Sequence, residues 1–269
     1  MKKILLVGCG HMGSAMANSW LEKKSISLSI LDPKKKINIH KKFKKKTKIY
    51  KHFKDIKNIN NFHLIIFAVK PQISYKVVSQ FKSINKNTII ISIMAGKKIK
   101  FFEKIIGKSN RVYRIMPNMP VIVNKGMSSI VSNKKSSASV KKNIENLFNN
   151  FGKVLWLKKE SDIDKVTAIS GSGPGYFFLF IEHMLSEALS LGFDKRIIKT
   201  LIYQTALGSI ILLNKSNFTA KELRKSIAIQ GGTTEAAINV FQKNKNLQKL
   251  INRALKAAYK KSLELGKNA

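Results

Sequence analysis

The sequence predicts an α/β domain followed by an all-α domain. Up to about residue 158, short apolar and β-branched runs alternate with stretches of helical pattern, as a doubly wound parallel sheet requires. From residue 159 onward the pattern is helical. The length of 269 residues is sufficient for two modest domains. We therefore expect a first domain over residues 1–158 and a second over residues 159–269.

The strands of the first domain are predicted from apolar, β-branched runs bounded by turn residues. These runs are Lys3–Val7, Ile26–Leu31, His63–Val69, Thr88–Ile93, Arg111–Met116, Gly126–Val131 and Val154–Leu157. Helical pattern covers His11–Lys23 and residues 136–150, and Pro71 begins a further helix at a position where proline is tolerated. The alternation favours parallel strands joined by helices.

Capping residues mark the helices of the second domain. Asp194 precedes a long helical segment, and Thr219 followed by Glu222 is a capping-box pattern. The other segments begin near Ser161 or cover Tyr176–Leu191, Glu235–Gln242 and Leu247–Leu265. A helical domain of about 110 residues has only a small core, yet Tyr176–Leu191 is apolar nearly all around. We therefore expect this segment to be buried in a dimer of helical domains.

The formal charge of +37 and the isoelectric point of about 10.3 would attract nucleic acid or anionic membrane without specificity. Arginine occurs only at positions 111, 114, 196, 224 and 253, whereas base reading and phosphate clamping favour arginine over lysine. We interpret the charge as a compositional drift toward lysine over the surface of an enzyme, without a specific nucleic-acid partner. The alternative, a nucleic-acid-binding protein, would use the densest cluster, Lys34–Lys36 with Lys41–Lys48.

A cytoplasmic location without a membrane partner is the expectation. No segment approaches the roughly 20 uninterrupted apolar residues that cross a bilayer, and the apolar run at the N-terminus ends at Gly8, too early for a secretory signal. Cys9 is the only cysteine, so neither an intrachain disulfide nor a cysteine metal cluster can form. No metal is expected, and Cys9 is interpreted as a small filler of its loop rather than a redox-sensing thiol.

A glycine motif, Gly8-Cys9-Gly10-His11-Met12-Gly13, follows the first predicted strand and opens the first predicted helix. In that context GxGxxG predicts a Rossmann-type dinucleotide site, with the pyrophosphate against the loop; the alternative is a tight turn without a ligand. Asp32, at the end of the second strand, favours NAD over NADP because it can accept from both ribose hydroxyls. Lys34–Lys36 favour a 2′-phosphate, and Asp32 can also simply start a turn with Pro33. NADPH and NADH therefore both stay open.

Three further strand ends supply candidate contacts, because ligands of open α/β sheets bind at the carboxyl edge. Ala68-Val69-Lys70-Pro71 places Lys70 where it can meet cofactor phosphate or a substrate carboxylate, unless it is a solvated loop lysine. The small residues of Met94-Ala95-Gly96 allow the nicotinamide to approach the backbone. Asn118, between Pro117 and Met119, is predicted either to orient the carboxamide or to stabilise a turn.

Two distal glycine motifs point to an anionic substrate. Ser170-Gly171-Ser172-Gly173-Pro174-Gly175-Tyr176 and Gln230-Gly231-Gly232-Thr233-Thr234 each precede helical pattern. Each can therefore present unpaired backbone N–H groups at a helix start, where an anion is favoured. The second motif is the better substrate clamp, since Thr233 and Thr234 supply polar side chains; the alternative is that both merely cap a helix.

Together with Arg114-Ile115-Met116-Pro117-Asn118, these motifs in this order resemble the pyrroline-5-carboxylate reductase family across essentially the whole chain. The resemblance implies reduction of 1-pyrroline-5-carboxylate to L-proline by NADPH or NADH. It also implies a homo-oligomer with interlocking helical domains, either a dimer or a decamer built as a pentamer of dimers. Reduction of an iminium needs no nucleophile, in agreement with the absence of a Ser/His/Asp or Cys/His set.

The resemblance also implies roles for individual residues. Thr234 would place its hydroxyl near the imine nitrogen, as a hydrogen-bond donor or proton relay. Lys70 joins it as the second residue expected to act in catalysis. The residues implied near the substrate are Glu160, Ser226, Gly232, Thr233 and Thr234. Glu160 has an alternative, as a solvated carboxylate ahead of a helix.

The chain departs from the family pattern at several positions. Ile229-Gln230 stands where the family usually has Ser-Pro, so the loop should be less rigid and a hydroxyl contact is lost. Gly175 replaces the usual alanine. Asp55, expected against the cofactor, and Ser226 both occupy positions where asparagine is common. Rival enzymes are a broader imine reductase and a 3-hydroxyacid-type dehydrogenase, although no lysine beside Gly171–Gly175 matches the catalytic lysine of the latter.

Overall fold

A computed structural model describes residues 2–34, 37–134 and 136–267, with only the backbone of Lys267. Eight strands lie in its N-terminal part. They are β1 (Lys2–Val7), β2 (Ile26–Leu31), β3 (Lys48–Tyr50), β4 (Leu64–Phe67), β5 (Ile89–Ser92), β6 (Val112–Pro117), β7 (Gly126–Ser132) and β8 (Gly152–Trp156). They form one sheet in the order β3-β2-β1-β4-β5-β6-β7-β8. Neighbours from β3 to β6 pair in parallel, whereas β6 and β7 pair antiparallel.

Eleven α-helices accompany the sheet or follow it within the described residues. They are α1 (His11–Leu21), α2 (Lys41–Lys44), α3 (Ser74–Val78), α4 (Ile99–Ile106), α5 (Ala138–Phe148), α6 (Asp162–Val166), α7 (Gly173–Ala188), α8 (Lys195–Lys215), α9 (Ala220–Ile227), α10 (Thr233–Gln242) and α11 (Asn246–Lys267). Asp194 accepts a hydrogen bond from the Arg196 N–H at the start of α8. The Thr219 and Glu222 capping box is present at α9.

Three local expectations were wrong. The predicted strands omitted β3, a three-residue strand that follows the lysine-rich helix α2. α10 begins at Thr233 rather than at Glu235. The first distal glycine motif is not a loop ahead of a helix: Thr167–Gly171 form a π-helical turn directly after α6, and Gly173–Gly175 already belong to the first turn of α7.

Apolar side chains cover both faces of the sheet, as a doubly wound fold requires. One cluster packs α1 and α5 on the sheet, where Trp20 lies edge-on to Phe148 and Phe151. The other cluster includes Phe67, which lies edge-on to Phe81. The central strands are sealed by these clusters, so polar groups remain accessible mainly at strand ends.

The chain divides into two compact units. The sheet unit comprises residues 1–172 and 258–269, and the helical unit comprises residues 173–257. The helix α11 begins in the helical unit and ends in the sheet unit. The predicted boundary between residues 158 and 159 stays a prediction.

Most apolar side chains of the helical unit face solvent in the single chain. Its only buried residues are Gly173, Ile198 and Ile202, and every residue of this unit is described. On α7, Phe177 is 64% exposed and Phe178 is 63% exposed. By length and composition alone, α8 is apolar enough to cross a membrane.

Candidate active site

The β1–α1 loop combines two tightly packed glycines with one that borders open space. A Cβ added to Gly8 would lie 2.8 Å from the Ala68 carbonyl oxygen, and its φ of +93° also favours glycine. A Cβ added to Gly13 would lie 2.6 Å from the Gly8 oxygen, so α1 and β1 approach closely here. A Cβ added to Gly10 would meet nothing within 4 Å. The loop therefore leaves room for a dinucleotide pyrophosphate on the side of Gly10.

The other loop residues differ in exposure: Cys9 is buried, Met12 half-buried and His11 exposed. Burial first, and the nearby Asp32 carboxylate second, raise the pKa of the Cys9 thiol from its usual value near 9 to about 12. At neutral pH Cys9 is a protonated packing residue, in agreement with its interpretation as a filler.

Asp32 is buried at the end of β2 and is held by backbone donors. Its Oδ2 accepts from the Cys9 N–H at 2.6 Å, and its Oδ1 accepts from the Lys34 N–H at 2.9 Å. Its own N–H donates to the Tyr50 carbonyl at 3.1 Å. Of the three lysines predicted beside it, Lys34 is exposed, whereas Lys35 and Lys36 lie outside the described residues.

The strand ends predicted to contact a cofactor share the carboxyl edge of the sheet, because β1, β2, β4, β5 and β6 are parallel. Ala68 and Val69 are half-buried at the end of β4. Lys70 is exposed and precedes the single turn that Pro71 opens. Lys70 is thus free to meet an anion at this edge.

The loop after β5 is covered by the end of α11. Met94 is buried and Ala95 is half-buried. Gly96 has φ +75°, and a Cβ there would lie 2.7 Å from the Leu265 carbonyl oxygen. The last turns of α11 therefore support the segment expected to face the nicotinamide, and only glycine permits this approach.

Asn118 uses both ends of its side-chain amide on protein groups. Its Nδ2 donates to the Ser170 carbonyl at 3.1 Å and lies 3.3 Å from the Ser170 hydroxyl, while its Oδ1 accepts from the Met127 N–H at 2.8 Å. A Cβ on Gly171 would lie 3.1 Å from the Met116 methyl carbon. Ser170 and Gly171, at the start of the first distal glycine motif, thus pack against the end of β6.

Asp55 is exposed in a short 3-10 turn after β3, where its carboxylate accepts from the His52 N–H at 2.8 Å. This contact caps the turn.

Glu160 is half-buried and belongs to an ionic cluster in the sheet unit whose other charged members, Arg114 and Asp164, are buried. Its Oε1 accepts from the Arg114 guanidinium at 3.1 Å and from the Ile99 N–H, at the start of α4, at 2.8 Å. Arg114 also lies 3.7 Å from Asp164, whose Oδ1 accepts from the Ser262 hydroxyl of α11 at 2.7 Å. The cluster joins β6, α4, α6 and α11, and the Arg114 Nε is buried without a hydrogen-bond partner.

In the helical unit, the second glycine motif is a tight turn at the start of α10. Gly231 has φ +74°, and its N–H donates to the Glu235 carboxylate at 2.8 Å. Gly232 is the N-cap residue, without a side-chain cap, and its carbonyl accepts from the Ala236 N–H. The N–H groups of Thr233 and Thr234 in this first turn have no protein acceptor among the described residues. Unpaired N–H groups at a helix start favour an anion, so the anion site that the sequence predicts at this turn stays a prediction.

The residues ahead of this turn are accessible. Ser226 is exposed on α9, and its hydroxyl donates to the Leu223 carbonyl at 2.8 Å. Ile229, which departs from the family pattern, is 71% exposed. Thr234 is half-buried and Thr233 exposed, so the two hydroxyls differ in their access to solvent.

Comparisons with known proteins decide the family. Residues 160–265 match the model of the pyrroline-5-carboxylate reductase dimerisation region, and residues 3–96 match that of a coenzyme F420-dependent NADP oxidoreductase. The pyrroline-5-carboxylate reductase of Pseudomonas aeruginosa is 37% identical over 204 residues, covering 75% of this chain and 74% of the relative. The chain belongs to the pyrroline-5-carboxylate reductase family. The predicted family is confirmed.

Solved structures of the reductase family confirm the predicted fold class. The Plasmodium falciparum pyrroline carboxylate reductase with NADP bound has a TM-score of 0.88 at 30% identity and covers 98% of both chains. The Coxiella burnetii pyrroline-5-carboxylate reductase has a TM-score of 0.84 at 28% identity, over 97% of both chains. As a family member, the chain is an NAD(P)H-dependent oxidoreductase. The dimerisation match assigns self-association to residues 160–265, which include α7 and α8.

Sequence reasoning did not find the partners of the candidate residues. Arg114 was predicted only as part of a motif, and the sequence offered no reason to assign Asp164 to the site. Ser262 carried no local signal, since it lies 98 residues from its partner Asp164. Among the described residues, no group of three His, Cys, Asp or Glu side chains is arranged to hold a metal ion.

Proposed function

We propose that this chain reduces 1-pyrroline-5-carboxylate to L-proline by hydride transfer from NADPH or NADH, the last step of proline biosynthesis. The observation that carries the proposal is the open turn at the start of α10, in a family member whose β1–α1 loop has room for a dinucleotide. The substrate is a small cyclic imine with one carboxylate. It therefore needs an anion site, a group that controls the imine proton, and a hydride donor.

The substrate carboxylate is proposed to bind at the first turn of α10. The N–H groups of Thr233 and Thr234 have no protein acceptor in the described chain, and the positive end of the helix dipole favours negative charge there. A Cβ on Gly232 would lie 3.0 Å from the Ile229 carbonyl oxygen, so a side chain at this position would disturb the turn. Glu235 holds the Gly231 N–H and thereby fixes the conformation of the loop.

Thr234 is proposed to control the proton on the imine nitrogen. Its hydroxyl is half-buried at the same turn as the carboxylate site, which suits a ring in which the carboxylate and the nitrogen flank one carbon. A hydroxyl can donate to the nitrogen and accept from water, so it can serve as a relay. Ser226 and Thr233 are proposed as further contacts of the substrate.

The bound dinucleotide is proposed to lie at the carboxyl edge of the sheet. The residues proposed to surround it are Gly8–Gly13, Asp32, Asp55, Ala68–Pro71, Met94–Ala95 and Asn118. When bound, the reduced nicotinamide supplies the hydride. The exposed Lys70 is proposed to pair with cofactor phosphate or with the substrate carboxylate. The contact between Glu160 and the substrate stays a prediction; its bonds to Arg114 and to the start of α4 support a positioning role instead.

The assembly is proposed to be a cytoplasmic dimer, or a decamer of five such dimers, in which the apolar surfaces of α7 and α8 meet their counterparts. This arrangement would bury the apolar length of α8 in protein instead of lipid. Light scattering of the purified protein gives the oligomer size, and fractionation of cells gives the location. A monomer, or a chain recovered with membranes, would contradict this part of the proposal.

The reaction is tested by giving the purified protein 1-pyrroline-5-carboxylate with NADPH or NADH. We expect oxidation of the nicotinamide and formation of proline in equal amounts. Turnover only of another imine would replace the substrate by that imine, and no turnover with either cofactor would refute the proposal.

The role of Thr234 is tested by a matched pair of variants. Thr234→Ala removes the hydroxyl but keeps the backbone donors, so we expect kcat to fall by about 100-fold, within the usual range for a group that transfers a proton. Cofactor affinity should change little. Thr234→Ser restores the hydroxyl and should recover most of kcat. An unchanged kcat in Thr234→Ala would remove Thr234 from the mechanism.

A further inference from the structure

The carboxylate of Asp32 accepts hydrogen bonds from the backbone of two neighbouring loops. One oxygen accepts from the Cys9 N–H at 2.6 Å and the other from the Lys34 N–H at 2.9 Å. Only 5% of the residue is exposed. These bonds tie the glycine loop after β1 to the turn after β2, so Asp32 has a structural role at this edge.

An acidic residue that reads an adenosine ribose must present its oxygens to the ribose hydroxyls. Asp32 presents almost no surface, and each of its oxygens already has a backbone donor. The two N–H groups, together with the nearby start of α1, also offset its negative charge. Each oxygen of Asp32 keeps a further lone pair, but the side chain is less accessible to a ribose than an exposed carboxylate would be.

Cations occupy the accessible positions around this turn. Lys34 is exposed two residues after Asp32. Lys51 follows β3, and its ammonium group donates to the Lys34 carbonyl oxygen, which brings a second positive charge to the same turn. Lys51 also lines a depression of about 820 Å³ with His40, Lys41 and Lys44. The described residues that line this depression include no carboxylate.

We propose that Lys34 and Lys51 select NADPH over NADH by binding the 2′-phosphate of the adenosine ribose, while Asp32 fastens the loop and does not read the ribose. This inference rests on the proposed function, since it concerns the hydride donor of that reaction. A phosphate monoester carries a charge of about −1.5 to −2 at pH 7, so it gains from two lysines where a free 2′-hydroxyl does not. Lys51 thereby becomes a specificity-determining residue for the cofactor.

Cofactor binding without substrate tests the inference, measured by the fluorescence of the reduced nicotinamide. We expect NADPH to bind at least about tenfold more tightly than NADH, the factor of one charge-assisted hydrogen bond. The Lys34→Gln/Lys51→Gln double variant should lose most of this preference through weaker NADPH binding, with NADH affinity changed less than about twofold. Added salt should reduce the preference in the same way.

A matched control keeps the change in charge but moves it away from the turn. Lys45→Gln/Lys46→Gln removes two exposed lysines of the same segment that do not line the depression, and the preference should persist. Asp32→Asn should weaken both cofactors by the same factor, because it removes one acceptor of the loop. A selective loss of NADH in Asp32→Asn would mean that Asp32 reads the ribose.

The outcomes separate this inference from the proposed function. Equal binding of the two cofactors, or a preference that survives in Lys34→Gln/Lys51→Gln, overturns the inference while the reductase reaction stands. A lysine-dependent preference for NADPH without turnover of 1-pyrroline-5-carboxylate upholds the inference and contradicts the proposed reaction.

Discussion

The sheet unit and the helical unit bury their apolar side chains in different ways. In the sheet unit, strands β1 and β4 are buried on both faces: Leu6 and Ile66 on one face, and Leu5 and Ile65 on the other, have no exposed surface. In the helical unit, Phe177 and Phe178 are mostly exposed, and only three residues are buried. The first unit is closed by its own core, whereas the second carries an apolar surface that self-association must cover.

Polar groups follow the same contrast. The sheet unit pairs Arg114 with Glu160 and Asp164 in its interior. The first turn of α10 in the helical unit leaves N–H groups without a protein acceptor among the described residues. Polar groups that pair with one another stabilise the fold, whereas polar groups without a protein partner are available to bind a ligand. The following experiments test this division.

The largest effect is expected from opening the ionic cluster. Arg114→Ala leaves the Glu160 and Asp164 carboxylates without their cation, and we expect the free energy of unfolding to fall by about 3–5 kcal/mol. Urea unfolding measures this change. Lys42→Ala is the control, because Lys42 pairs with Glu22 on the surface at 3.3 Å and should cost less than about 1 kcal/mol. Equal costs for the two variants would show that the buried cluster does not hold the sheet unit together.

The reactivity of Cys9 tests whether the interior of the sheet unit is inaccessible to solvent. Because the pKa of Cys9 is raised to about 12, its thiolate should be scarce at pH 8, and alkylation should be about 10³-fold slower in the folded than in the unfolded protein. Because the pKa of Cys9 is higher in the folded than in the unfolded protein, the protonated thiol contributes to the free energy of unfolding. This contribution is present below about pH 9 and is lost as pH rises toward 12. An Asn143→Cys variant supplies an exposed thiol on α5 for comparison. Equally fast labelling of Cys9 would contradict the described packing.

The apolar surface of the helical unit can be broken by one charge. Phe178→Asp should weaken self-association by at least about 30-fold, the effect of losing a hot-spot aromatic of about 2 kcal/mol. Light scattering over a dilution series measures the dissociation. Asn143→Asp adds the same charge at an exposed position of α5 in the sheet unit and should leave the assembly unchanged. Unchanged assembly in Phe178→Asp would exclude this face of α7 from the interface.

The smallest effect is expected in the β1–α1 loop. Two alanine variants there distinguish a glycine needed for cofactor binding from a glycine needed for packing. Gly10→Ala adds a Cβ where no protein atom lies within 4 Å, on an extended backbone. We expect normal thermal stability and a loss of cofactor affinity of at least about tenfold, or about 1.4 kcal/mol. Gly8→Ala should lower both, because its Cβ collides with Ala68 and its φ is positive. Unchanged affinity in Gly10→Ala would place the pyrophosphate elsewhere.

Local pattern was sufficient to predict most of the sheet. Continuous apolar runs identified β1, β2 and β4 because strands buried on both faces need no polar alternation. Capping chemistry at Asp194 and Thr219 identified the starts of α8 and α9. β3 was missed because three residues in a lysine-rich segment carry too weak a pattern.

The partners within the site could not be predicted, because they depend on the tertiary fold. Glu160 and Arg114 are 46 residues apart in sequence, and neither shows by its spacing that they pair. The commitment of Asp32 to the Cys9 and Lys34 N–H groups depends on how two loops meet. The sequence thus indicated which residues carry chemistry, while the fold determines which of them remain open.

The measurement that tests the division most directly is hydrogen exchange of the backbone amides in the wild type and in Phe178→Asp. We predict that β1, β4 and β5 stay protected in both proteins, because the sheet unit needs no partner. Amides of α7 and α8 should be protected in the assembled wild type and exchange much faster in the variant. Equal protection of α7 and α8 in the two proteins, with the variant monomeric, would show that the helical unit is stable alone and would contradict the account.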